Sequence, residues 1–133
     1  MPQRRVDPPA QREAGLGSVE LAVVFPVVLF LLTATLHVAM LYLAGHVADD
    51  MAATAVETAA RYGAERGAGE QQALDVAAQE GFVSDPTVTV ARHARTVEVT
   101  VTVKSRRLIP GLPDRITRTV QAPLESFTAE ASR

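Results

Sequence analysis

Cysteine is absent from the 133 residues. That excludes a disulfide framework, an iron–sulfur site, a thiolate zinc site and a cysteine nucleophile. It says little about compartment, because an extracytoplasmic domain can do without disulfides. Charge of one sign is also scarce: 13 Lys and Arg stand against 15 Asp and Glu, a net charge of −2. The arginines of the C-terminal half are interspersed with acids and threonines, whereas a nucleic-acid-binding face shows as a concentrated basic patch. His37, His46 and His93 lack metal-ligand spacing. No phosphate-binding loop or dinucleotide fingerprint occurs, and the outer domain is too small to shelter a Ser–His–Asp set in a cleft. The expectation is a protein without enzymatic activity, cofactor, metal, small-molecule substrate or nucleic-acid partner.

What the chain does contain is a concentrated apolar run. Leu21 to Leu43 carries no charge, and His37 is its one readily ionisable side chain. At a rise of ~1.5 Å per residue the run makes a helix of roughly 35 Å, slightly longer than the ~30 Å hydrocarbon core of a bilayer. It reads as a transmembrane helix with a carboxylate, Glu20, at its entrance. Arg4, Arg5 and Arg12 precede it, against Asp7 and Glu13, while Asp49 and Asp50 follow it and no Lys or Arg appears before Arg61. The positive-inside rule then puts the N-terminus in the cytoplasm and the C-terminal part outside. The run is too long for an ordinary secretory signal and leads into more helix-forming sequence; release by cleavage around Ala44 or Ala48 is the competing reading.

Gly15 and Glu20 are separated by four residues directly ahead of this run. The spacing resembles the processing site of type IV pilin-like proteins. The longer string Gly15-Leu-Gly-Ser-Val-Glu20-Leu-Ala-Val-Val-Phe-Pro26 more closely resembles the TadE/TadG-like family, minor pseudopilin-like proteins of the tight-adherence (Flp) pilus assembly system. The resemblance covers residues 15 to about 45 well, and the remainder in general layout. It implies a cytoplasmic cut between Gly15 and Leu16 by a prepilin peptidase, after which Glu20 is the fifth residue. Gly17 offers an off-register cut that leaves Glu20 third. The resemblance further implies that Glu20 pairs with the new α-amino group of its own or a neighbouring subunit. Physically, such pairing neutralises two charges at low dielectric. A helix-start acid snorkelling to the headgroups, favoured by the helix dipole, is the alternative.

Pro26 removes a backbone hydrogen bond and is expected to kink or loosen the first turns. It is either a flexible point used in assembly or an ordinary membrane proline. His37, with no second ionisable group in the span, reads as a histidine packing between helices.

Beyond the run, residues 46–66 are Ala-rich and helical in period, with Val47, Met51, Ala55, Ala59 and Tyr62 as a narrow apolar stripe. Since Gly45 alone is a weak breaker, the membrane helix is expected to continue outward as one helix of about 45 residues, roughly 65–70 Å long. Gly63, Gly67 and Gly69 are expected to end it. A second helix fits Glu70 to about Glu80, with Ala73, Leu74, Ala77 and Ala78 inward and Gly81 as C-cap.

After Ser84-Asp85-Pro86 the period becomes two. Val88 and Val90, then Val97, Val99, Val101 and Val103, alternate with polar residues as two half-buried strands. Residues 108–113 (LIPGLP) form a turn-rich apolar loop, either a docking knob or a turn tucked under the sheet. A third strand fits Arg115 to about Ala122, where Arg118 interrupts the inward face and suggests an edge. The fold expectation is therefore α+β and pilin-like in outline: a long N-terminal helix, a short second helix and about three antiparallel strands. The chain divides into a basic leader (1–15), a transmembrane helix (16–45), an extracytoplasmic domain (46–122) and a flexible tail (123–133).

Together these readings describe a non-enzymatic, single-pass component of the cytoplasmic membrane that serves pilus assembly or related secretion. The resemblance implies as partners a prepilin peptidase, the platform proteins of the Tad inner-membrane apparatus and other pilins, in addition to membrane lipid. Gly15, Leu16 and Glu20 are the processing residues, and Glu20 and Pro26 those of assembly. An uncleaved bitopic scaffold and a secreted binding module remain the rivals.

Overall fold

The computed structural model describes residues 10–61 and 63–125. Leader residues 1–9, Tyr62 of the expected stripe and tail residues 126–133 lie outside the described residues. The element order is α1 (Ala10–Ala60), α2 (Ala68–Gln79), β1 (Val83–Arg92), β2 (Thr96–Ser105) and β3 (Arg115–Pro123). The α+β architecture matches the sequence reading: one long helix, one short helix and an antiparallel meander ordered β1-β2-β3.

Helix α1 runs unbroken for 51 residues, through Pro26 and Gly45, a length of roughly 75 Å. Its two halves live in different surroundings. From Val19 to Leu36 nearly every side chain is exposed, including Phe25, Leu29, Phe30 and Leu32. From Ala44 onward it buries Ala44, Val47, Ala48, Met51, Ala52, Ala55, Val56, Ala59 and Ala60. That face is wider than the expected stripe because two elements share it. The valine face of the sheet lies against one side and α2 against the other, so a second row (Ala44, Ala48, Ala52, Val56) joins the first.

The reversal after α1 uses Gly63 and Gly67, both in the left-handed region at φ 74° and 85°, a conformation glycine adopts without a Cβ penalty. Gly69 is not part of that stop. It lies inside α2, buried, where a Cβ would stand 2.7 Å from the Ala55 carbonyl oxygen. The close approach of the two helices, and not a turn, is what requires glycine there. The inward face of α2 is accordingly Gly69, Ala73 and Ala77. Leu74 and Ala78, expected inward, are exposed, since the closest line of contact selects the smallest side chains. The C-cap is Glu80, extended, and not Gly81.

Strand β2 is central and its Val97, Val99, Val101 and Val103 are fully buried. They pair with Ala122, Val120, Arg118 and Ile116 of β3 in register. On the opposite face Thr100 meets Thr119 and Thr102 meets Thr117 through hydroxyl contacts of 3.2 and 3.0 Å, cross-strand pairs of the kind that stabilise a solvated sheet face. Strand β1 starts earlier than the change of period at Ser84-Asp85-Pro86. It begins at Val83 and passes an irregularity between Ser84 and Thr87, with Asp85 at φ 48°. Past the expected strand end at Ala122, Leu124 N–H donates to Arg95 O (2.9 Å) and Glu125 N–H to Ala60 O (3.1 Å). The first ties Leu124 to the β1–β2 turn and the second ties Glu125 to the far end of α1.

Candidate functional site

Two places on α1 bear on function. The first is its N-terminal end. Gly15 and Leu16 lie inside the helix, which begins at Ala10. Glu20 is exposed one and a half turns further on, at the foot of the bare apolar run, and has no ion-pair partner among the described residues. A Cβ on Gly17 would meet nothing within 4 Å. Pro26 follows inside the helix and has no N–H to offer the Ala22 carbonyl. The expected processing and assembly residues thus share one unaccompanied segment, remote from the folded head.

The second is the level at which the head meets the helix. His37, expected to pack between membrane helices, is 2% exposed and sits instead under the chain's own 106–114 loop. Leu108 N–H donates to its Nδ1 (3.4 Å), and its Nε2 lies 3.3 Å from Pro113 O. One neutral tautomer, protonated at Nε2, satisfies both contacts. The loop base is closed by the Arg107–Asp114 pair at 2.7 Å and by Ser105 N–H donating to Asp114 O at 2.7 Å. The tip is a turn from Ile109 to Leu112 with Pro110 and then Gly111 at φ 85°, the residues and sign of φ that a type II turn requires.

About three turns further out, Arg118 reaches from β3 across the helix to Asp49 (Nε–Oδ1 2.9 Å). Gly45 is buried beneath it, and a Cβ there would lie 3.2 Å from the Arg118 guanidinium. Tyr42 and His46 stack edge to face at 4.4 Å on the same stretch. Arg118 is inward-facing on an edge strand, as the sequence suggests, but its role is to clamp the sheet to the helix. The His37 latch was missed in the sequence reading. Its signal was present as a lone histidine in an apolar run and a proline-closed loop with no assigned neighbour.

Electrostatics around the loop are local. Hydrogen bonding from Lys104 holds the Asp85 carboxyl below its ordinary range, and hydrogen bonding from Arg107 does the same for Asp114. No group of three or more His, Asp or Glu among the described residues is placed to hold a metal ion.

A small α+β head carried on a helix long and apolar enough to cross a membrane defines an architecture of the single-pass, helix-anchored type. Residues 15–65 match the model of the TadE family, described as TadE-like protein. Over that segment, which takes in Gly15, Glu20, Pro26, His37 and most of the buried face of α1, the chain is similar to TadE-like proteins, and the match supports membership of the TadE/TadG-like family. No curated protein and no solved structure matches the chain.

Proposed function

We propose that the chain is a minor pseudopilin-like component of tight-adherence pilus assembly, without enzymatic activity of its own and processed by a prepilin peptidase between Gly15 and Leu16. The TadE-like segment suggests association with a Tad pilus system. The observation that carries the finer reading is the bare half of α1: an exposed apolar run that begins immediately after Glu20, itself five positions beyond Gly15. A helix of that kind is stable in lipid or in a bundle of like helices, and a carboxylate at its end calls for a counter-charge there. Cleavage supplies one, the α-amino group of Leu16, within one and a half helical turns. In the assembly this pair sets the register of neighbouring helices.

The orientation follows from charge: the basic leader inside, the head outside. The peptidase then acts on the cytoplasmic face, platform proteins of the Tad apparatus engage the membrane helix, and other pilins meet the exposed head. The glycines at 15 and 17 favour access, because each lowers local helix stability by about 1 kcal/mol relative to alanine.

Intact-mass and N-terminal peptide mass spectrometry on protein extracted from native membranes tests this, with Gly15→Ala as control. The expected mature chain begins at Leu16 and is lost in the control. An intact leader in a cell that contains the peptidase makes the protein an uncleaved scaffold. A start near Asp49 makes it a secreted module.

A further inference from the structure

We propose that the 108–113 loop is a lipid-facing anchor: its tip, Ile109 to Leu112, enters the headgroup region of the outer leaflet and fixes how far α1 sinks. The inference rests on the reading of α1 as a membrane helix and adds a second contact with the bilayer. Its first support is level. His37 holds both ends of the loop, at Leu108 and Pro113, so the loop is tied to a point six residues short of Leu43, inside the uncharged run. Around that point Leu36, Val38, Tyr42 and Leu43 remain exposed on the sides of the helix that the loop leaves open. They form an apolar collar on the helix around the latch, and Leu112 at the loop tip is itself 42% exposed.

Length agrees. Val19 to Leu36 is 18 residues, or about 27 Å of helix, just under the ~30 Å hydrocarbon core. With the outer boundary near His37, the loop tip falls at the interface. A boundary lower than that puts the collar in water and leaves the span short.

The backbone of the loop suits such a setting, where unsatisfied peptide groups are costly. Of its six residues two are prolines with no N–H. Leu108 N–H is bonded to His37 and Leu112 N–H to Ile109 O. Charge agrees as well: Lys104, Arg106, Arg107 and Arg115 surround the loop base. Lys104 and Arg107 have carboxylate partners, while Arg106 and Arg115 have none among the described residues. Cations just outside an apolar tip are placed to meet lipid phosphates while their stems lie along apolar surface.

The chain contains no tryptophan and no cysteine, so single reporters are unambiguous. Full-length Leu112→Trp, Phe30→Trp and Ala94→Trp proteins are reconstituted into phosphatidylethanolamine–phosphatidylglycerol vesicles containing lipids spin-labelled at shallow or deep positions. Ala94 is in the β1–β2 turn at the opposite end of the sheet. Expected are blue-shifted emission at 112 quenched several-fold more by shallow than by deep labels, the reverse depth order at 30, and no lipid quenching at 94. Lipid quenching at 30 but water-like emission at 112 overturns the anchor and leaves the membrane helix standing. Blue-shifted emission at 112 that no lipid label quenches overturns it in favour of a protein cover. Absence of quenching at 30 removes the membrane reading itself. If Leu112→Trp does not fold, a spin label on Leu112→Cys decides between the same outcomes, oxygen accessibility above that of a water-soluble relaxant being the expected result and the reverse overturning it.

Discussion

The two halves of α1 are one uninterrupted helix in two solvents, and their compositions differ accordingly. Val19–Leu36 is built mainly of Leu, Val and Phe, side chains that are large and left exposed. The outer half, from Ala44 to Ala60, is built largely of Ala and is mostly buried on the sides facing α2 and the sheet. Large side chains make the apolar surface that lipid requires. Small ones let two other elements approach the same helix axis. The halves therefore differ in side-chain volume as well as in charge, since Asp49, Asp50 and Glu57 lie in the outer one.

The largest expected effect breaks this contrast at the core. Met51 is fully buried where helix and sheet meet, so Met51→Ala is expected to destabilise the head by about 2–5 kcal/mol, the range for truncating a buried methionine. Leu29→Ala in the bare half removes a similar volume, but no protein packs over it. Its effect on unfolding of the head is expected to stay within about 0.5 kcal/mol. Urea unfolding in detergent, followed by circular dichroism of the sheet, checks both. Equal losses would mean that the halves are not independent.

A second pair of substitutions sharpens the comparison through one chemical change of opposite sign. Gly69→Ala places a methyl group 2.7 Å from the Ala55 carbonyl oxygen and 3.1 Å from Ala59 Cβ. Overpacking of that kind costs about 1–3 kcal/mol, against a helix-propensity gain of at most ~1 kcal/mol, so the net is destabilising. At Gly17 the added methyl group meets nothing, and the same propensity gain is expected in full. Amide exchange should quicken across α2 in the first variant and slow around residue 17 in the second.

These pairs also mark what was legible in the sequence. Period and turn chemistry displayed the elements: the valine alternation of β2, the glycine-punctuated helix end and the uncharged run all stand where their patterns put them. What stayed hidden depended on partners distant in sequence. Leu74 has the look of a core residue, but its helix packs by its smallest side chains, and that is decided by Ala55 and Ala59. Gly69 resembles a stop until the helix crossing above it is known. His37 and the 108–113 loop are more than 70 residues apart, so neither announces the other. The reading of Gly15, Glu20 and Pro26 is of a different kind: it rests on local spacing along one helix, draws on no tertiary contact, and stands as a proposal for the mass spectrometry to decide.

The smallest expected effect is a pH dependence confined to the end of the sheet nearest His37. Asp114 and Asp85 are held below the ordinary carboxylate value by Arg107 and Lys104. A carboxyl whose folded pKa is depressed contributes stability that is complete above its unfolded value of about 3.9 and is lost as pH falls through the folded value. Acidification below that range is therefore expected to loosen the loop base while the strands stay paired. Both groups are at the surface, so solvent screens the pairs and the consequence is local. The reporter is the Ser105 amide, which donates to the Asp114 carbonyl. Its exchange, corrected for the intrinsic pH dependence, should quicken relative to Thr100 as pH drops. Asp114→Asn should abolish most of the change by removing the titrating partner of Arg107. An equal response at Thr100 would assign the transition to the whole head and not to the loop.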